Sequence, residues 1–263
     1  MHLKFLDVLK KASVQLLRQI AQLCEQYQCV SIVAPWVQGW ISPDDHPGYD
    51  QSALLVIAWA FGDQELFEGV ARNLVRFLSY DKDGHPQDLA DERVEQPLPP
   101  GILGIILSVR NEAINAAVSV PFSQLARYEA AVPPRGPVQL VCQVQVERDH
   151  RLACDALSHG RLIRSLMSNG IYQKSTDELV TMPDTDLENV AAILDDLKLQ
   201  LNPGHNLVGP GGDHSACSTI DYRQERIKIM YNLRSPVLDS HIEHMRTQRT
   251  KLGFMKVENM PEE

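Results

Sequence analysis

The 263-residue sequence lacks any long apolar run: the longest unbroken one, Ala53 to Phe61, is far short of the roughly 18–20 residues that cross a bilayer. Positive charge is also scarce, with 25 Lys and Arg against 34 Asp and Glu giving a formal charge of −9, so no unaided electrostatic grip on nucleic acid or an anionic surface is expected. The start MHLKFLDVLKKAS carries charges where an export signal needs an apolar stretch. Five scattered cysteines, an odd number, suit reduced thiols or a metal site better than a disulfide framework, and the expected location is intracellular, in cytoplasm or nucleus. Catalytic signatures are missing too. There is no G-x-S-x-G elbow and no H-E-x-x-H pair, and the glycine-rich stretch Gly209–Gly212 lacks the following Lys-Ser or Lys-Thr of a phosphate loop.

What is present is helical periodicity. At 44% hydrophobic and 22% charged, the chain has the material for a core. Leu16, Ile20, Leu23 and Tyr27 fall on one helical stripe, and Val30, Val33, Val37 and Trp40 on a second, which predicts a helical hairpin. After a loop over Ser42–Asp50, Ser52–Phe61 reads as a buried helix ended by Gly62. Asp63 should cap the next helix, with Leu66, Val70, Leu74 and Leu78 on its core stripe. DKDG at 81–84 reads as a plain turn, because the alternating acids and terminal Glu of a calcium loop are missing. A long helix from Pro100 should end near Pro121, with a shorter one through Tyr128.

Val138, Leu140, Cys142, Val144 and Val146 alternate with polar residues, which predicts the one clear strand. Helices are expected again over Leu152–Met167 and Leu187–Leu199, the latter with Thr185 and Glu188 at capping-box spacing, and then over Thr219–Asn232 and Pro236–Thr250. The expected class is mainly α, an irregular helical bundle with at most one or two short strands. The expected divisions are 1–41, a helical pair; 42–131, a helical region; 132–137, a proline-rich linker; 138–251, a second helical region; and 252–263, a tail.

One constellation has metal chemistry. His214 and Cys217 form an H-x-x-C pair, and Cys142 and Cys154 lie in the same half of the chain; together they offer the four nitrogen and sulfur donors that structural zinc prefers. The competing reading is that Cys142 and Cys154 pack as small hydrophobes. Cys24 and Cys29 read as core thiols, His241 and His244 as surface residues of the last helix, and the acid pairs Asp44-Asp45 and Asp195-Asp196 as solvated charge.

The runs EQYQCVSIVAPWVQGWI, IAWAFGDQELFEGVARNLV, PLPPGILGIILSVRNEAI, ACDALSHGRLIRSL, DHSAC and SPVLDSHIEHM, in that order, resemble fungal BTB/POZ-domain-containing proteins from about Leu16 to Arg246. The resemblance implies that residues 1–41 hold the remnant of the terminal BTB helical pair and that a helical extension follows, with the BTB sheet and its dimerisation surface missing, so that the chain is expected to be a truncated product or a paralogue that lost that module and no BTB dimer is expected. It also places Cys142, Cys154, His214 and Cys217 where that family's Cys and His residues are expected. The function it implies is a non-enzymatic protein-interaction module with an unidentified protein partner and no direct nucleic acid or membrane contact. Two alternatives stand beside it: a thiol-dependent hydrolase or transferase using Cys154 with His159 or His214, and a transcription-associated regulator without direct DNA contact.

Overall fold

The computed structural model describes residues 12–40, 50–94, 97–132, 137–145, 147–201, 217 and 220–254. Among them the chain is mainly helical, with ten α-helices and one two-strand antiparallel hairpin. Packing divides it into two compact units, 1–109 with 235–263, and 110–234. The expected loop over 42–50 lies outside the described residues except for Asp50, as do residues 133–136 of the proline-rich stretch and the glycine-rich stretch before His214.

The first unit is built on α3 (Gln51–Phe61), which is apolar on every side and buried except at Gln51 and Trp59. A helix without a polar face must be enclosed, and α1 (Val14–Tyr27), α4 (Gln64–Phe77) and α10 (Asp239–Lys251) pack against it. Full burial of side chains such as Leu54, Leu55 and Ile57 contributes roughly 2 kcal/mol each. Asp50 caps α3 by accepting from Ala53 N at 3.0 Å and meets Arg18 of α1 at 3.4 Å, so one carboxylate starts one helix and ties down another. Asp63 caps α4 as expected, accepting from Leu66 N, and Phe67, Val70, Ala71, Leu74 and Val75 form its buried face.

The stripe expected on α1 is displaced by one residue. Leu17, Arg18, Ala21 and Cys24 are buried, whereas Leu23 and Tyr27 are exposed. Small and amphipathic residues let α1 approach α3 closely, a selection that periodicity of large apolar residues does not register. Val30 and Val37 are buried, in a single 3-10 turn and in α2 (Ala34–Trp40), while Trp36 and Trp40 stack on each other at 6.3 Å.

His241 corrects the surface reading of α10. It is buried, its Nδ1 accepts from Leu238 N at 3.2 Å, and its Nε2 donates to Pro100 O at 3.0 Å, which selects the Nε2–H tautomer. Three positions further on, the His244 ring stacks on Trp59 at 3.7 Å. The Trp59 indole N–H in turn donates to Glu25 of α1, and Glu25 also accepts from Gln248 of α10. Polar groups thus join α1, α3 and α10 within the first unit.

The strands are β1 (Ser79–Tyr80) and β2 (Pro86–Gln87), flanking the expected turn. The strand expected over 138–146 is not one. Its alternation of burial holds only in part: Val138, Leu140, Cys142 and Val144 are more enclosed than Gln139, Gln143 and Gln145, but Val141 on the opposite phase is buried too, and no second strand pairs with the segment among the described residues. Side chains of α6 (Arg148–Ser168) answer its main-chain groups instead, as described below.

Helix α5 (Ile102–Ala130) also departs from expectation by running straight through Pro121. The missing N–H and ring clash cost about 3 kcal/mol in a helix interior. Buried neighbours on both sides, Ala117, Val118 and Leu125, hold the helix together across it. The second unit continues with α6, α7 (Thr176–Val180), α8 (Leu187–Leu201) and α9 (Tyr222–Tyr231), with α8 packed between α6 and α9. The start of α8 is capped by Asp186, which accepts from Asn189 N at 2.6 Å, and not by Thr185. Thr185 lends its carbonyl to Arg110, so its backbone is committed elsewhere. The capping box lies one helix earlier, at Ser175 and Glu178.

Tyr222 is buried at the start of α9, and among the described residues its hydroxyl has no hydrogen-bond partner. Burial pushes its ionisation well above the ordinary tyrosine value. A buried unpartnered hydroxyl costs about 1–3 kcal/mol, so Tyr222→Phe is expected to raise stability at pH 7 by about 1 kcal/mol, read from urea midpoints. Because the folded value lies above the unfolded one, this group favours folding fully below pH about 10 and the benefit is lost as pH rises beyond it. The advantage of the Phe variant should therefore widen in alkali; a loss of stability at pH 7 would show that the hydroxyl is satisfied.

Candidate metal centre

Three thiols from three separated segments meet in the second unit. Cys142 comes from the extended segment 137–145, Cys154 from the first half of α6, and Cys217 from beyond α8. Their sulfur atoms all lie within 4.8 Å of one another, and Cys142 Sγ is 3.3 Å from Cys217 Sγ. Cys142 and Cys217 are buried and Cys154 is half-buried; none is in a disulfide.

The α6 helix positions Cys142 through its backbone. Asp155 accepts from both Val141 N and Cys142 N at 2.8 Å, and Arg151 donates to Cys142 O through Nε at 2.9 Å and Nη2 at 2.6 Å. Residues 151, 154 and 155 sit one helical turn apart, so the face that clamps Cys142 also presents Cys154. This is the reason the segment is extended without being a strand: two charged side chains supply what a neighbouring strand would. Near the third sulfur, the N–H of Gln143 donates to Cys217. Backbone N–H groups aimed at sulfur stabilise thiolate character, a feature of metal–sulfur sites.

Without a cation the site favours thiols. Burial, reinforced by hydrogen bonding and charge from Cys217, pushes Cys154 up to about 12, and burial likewise raises Cys217. A divalent ion reverses this preference by displacing protons from the sulfurs. The spacing suits one: zinc–sulfur bonds of about 2.3 Å in a tetrahedron put sulfurs about 3.8 Å apart, inside the 4.8 Å that bounds all three separations here. The cluster can therefore hold a metal such as zinc. His214, the fourth expected donor, lies outside the described residues.

The pairing of Cys154 with His159 is not supported by geometry. Five residues along a helix turn the side chains roughly 140° apart. The His159 ring instead lies against Tyr128, with centroids 5.7 Å apart. A catalytic thiol also needs its ionisation lowered, and Cys154 is shifted the other way.

Asp81, Asp83 and His85 lie close together on the β1–β2 hairpin, but Arg93 pairs with Asp81 at 2.7 Å and Asp83 at 2.6 Å, placing a cation there already. A cavity of about 380 Å³ in the first unit is lined by Val56, Trp59 and Pro97–Pro100 with one acid, Glu25, whose oxygens already accept from Trp59 and Gln248. Of the other residues singled out in the sequence, Cys24 is buried and Cys29 half-buried, as core thiols should be, and Asp195 is engaged by Arg226, which also reaches Glu188 at 3.3 Å.

Sequence reasoning missed Asp155 and Arg151, whose roles arise only once the extended segment lies along α6. Asp155→Ala is expected to release two N–H groups, lower stability by about 2 kcal/mol and weaken zinc binding about 10–100-fold. Calorimetric titration beside a denaturant melt would check both; unchanged zinc affinity would separate the clamp from the site.

No family model, no curated protein and no solved structure matches the chain.

Proposed function

We propose that the chain is a non-enzymatic protein-interaction scaffold of the fungal BTB-domain type, its second unit fastened by a structural zinc ion on Cys142, Cys154, Cys217 and His214. The observation that carries this reading is the convergence of three sulfurs within 4.8 Å from segments far apart in sequence. Structural zinc sites use four closed nitrogen and sulfur ligands and contribute folding energy directly. Recognition would then fall to surface residues, and Leu23, Tyr27 and Ile32 in the first unit and Ile227 and Tyr231 in the second expose apolar side chains.

The test is elemental analysis of purified protein together with thermal melting. About one zinc per chain is expected, and Cys217→Ala should lower both metal content and melting temperature. Metal-free native protein whose stability is unaffected by added zinc would reject the reading.

A further inference from the structure

The three thiols are not equivalent in burial. Cys142 Sγ and Cys217 Sγ stand 3.3 Å apart and both residues are buried, while Cys154, whose sulfur lies within 4.8 Å of each, is the more accessible. A disulfide needs about 2.05 Å, so Cys142 Sγ and Cys217 Sγ must approach by little more than 1.2 Å. The backbone that carries Cys142 is held by Asp155 and Arg151 on one side, which keeps it at the site when no cation draws the sulfurs together.

We propose that the cluster is also an oxidation site: a peroxide joins Cys142 to Cys217, and this bond and a bound metal exclude each other. The inference rests on the zinc reading above. The chemistry balances with hydrogen peroxide as oxidant. One thiol attacks the peroxide oxygen, the O–O bond breaks, and a sulfenic acid and one water result. The neighbouring sulfur then attacks that sulfenic sulfur, its S–H proton leaves with the departing hydroxyl as a second water, and the Sγ–Sγ bond forms. Two thiols lose two electrons and the peroxide gains them. With two of its sulfurs spent on each other, the site retains Cys154 as its only unmodified thiol among the described residues, too few donors for tetrahedral zinc. Conversely, zinc occupying the sulfurs shields them from the peroxide. Reduction by a dithiol restores the ligands, so the exchange is reversible.

The experiment uses the full chain, zinc-loaded and chelator-stripped, treated with hydrogen peroxide. Zinc release, intact mass and disulfide-linked peptides are read in parallel. The stripped protein should lose about 2 Da, yield a peptide linking Cys142 to Cys217, and regain zinc binding after dithiothreitol; the loaded protein should release zinc as that peptide appears, and more slowly. Cys154→Ser should still form the link, and the peptide map of the native chain decides the matter if that variant fails to fold. Zinc binding with the link mapped to Cys154, or to Cys24 and Cys29, or with no link at all, overturns the inference while the metal reading survives. A Cys142–Cys217 link in protein that never binds zinc overturns the metal reading and, with it, the exchange proposed here.

Discussion

Replacing Gly62 by alanine is expected to cost about 3 kcal/mol or more and to loosen α10 from the first unit, as measured by denaturant midpoint and by proteolysis near residues 239–251. Gly62 ends α3 at φ +71°, a left-handed conformation that costs an L side chain roughly 1–2 kcal/mol. Space is tighter still. A Cβ there would overlap the Met245 carbonyl oxygen and meet the Arg249 amide nitrogen at 2.8 Å, both main-chain atoms that cannot rotate away. The first unit therefore depends on bare backbone where the C-terminal helix crosses the end of α3. Because Met245 and Gln248 are buried and His241 and Glu25 join the same junction by hydrogen bonds, strain at Gly62 propagates to several contacts at once. An alanine variant with native stability would show that α10 docks less closely.

The second large effect is expected at Arg110, which is completely buried. Its Nη1 donates to Val180 O at 2.8 Å and Asn111 Oδ1 at 3.0 Å, and its Nη2 donates to Thr185 O at 2.5 Å. One guanidinium fork thereby holds the end of α7 and the approach to α8 against α5. Arg110→Met keeps much of the volume but leaves two buried carbonyls without these donors, and a loss of about 3–5 kcal/mol is expected. Arg110→Lys keeps the charge yet cannot span both carbonyls with a planar fork, so it should recover only part of that loss. Burial pushes the nearby Asp186 carboxyl up, partly opposed by the Asn189 N–H and by the Arg110 charge. Full stability in the lysine variant would mean that charge, and not geometry, is what the site requires.

The helices were legible in sequence because their signals are local. Asp63 precedes a periodic apolar run, and Ser52–Phe61 is apolar beyond what an exposed helix tolerates. The misreadings share one physical cause, long-range partners. The alternation around Cys142 matches a strand, but hydrogen bonds from Asp155 and Arg151 decide what the backbone does. Pro121 ends a helix only where flanking residues lack packing of their own. His241 looks solvated among charged neighbours until the Pro100 carbonyl, far away in sequence, reaches its ring. Leu23 and Tyr27 lie on an attractive stripe, yet the buried face of α1 runs along Leu17, Ala21 and Cys24. The thiols were found because cysteine carries its chemistry in its identity. Their second layer was not, since Asp and Arg on a helix are ordinary surface residues until something docks on them.

Whether Cys142, Cys154 and Cys217 serve as ligands decides what fastens the second unit. X-ray absorption at the zinc edge on the purified full chain tests this most directly. Three sulfurs at about 2.3 Å and one nitrogen at about 2.0 Å are expected, with one sulfur fewer in Cys217→Ala. A spectrum with only oxygen and nitrogen neighbours, or one identical in the variant, would contradict it.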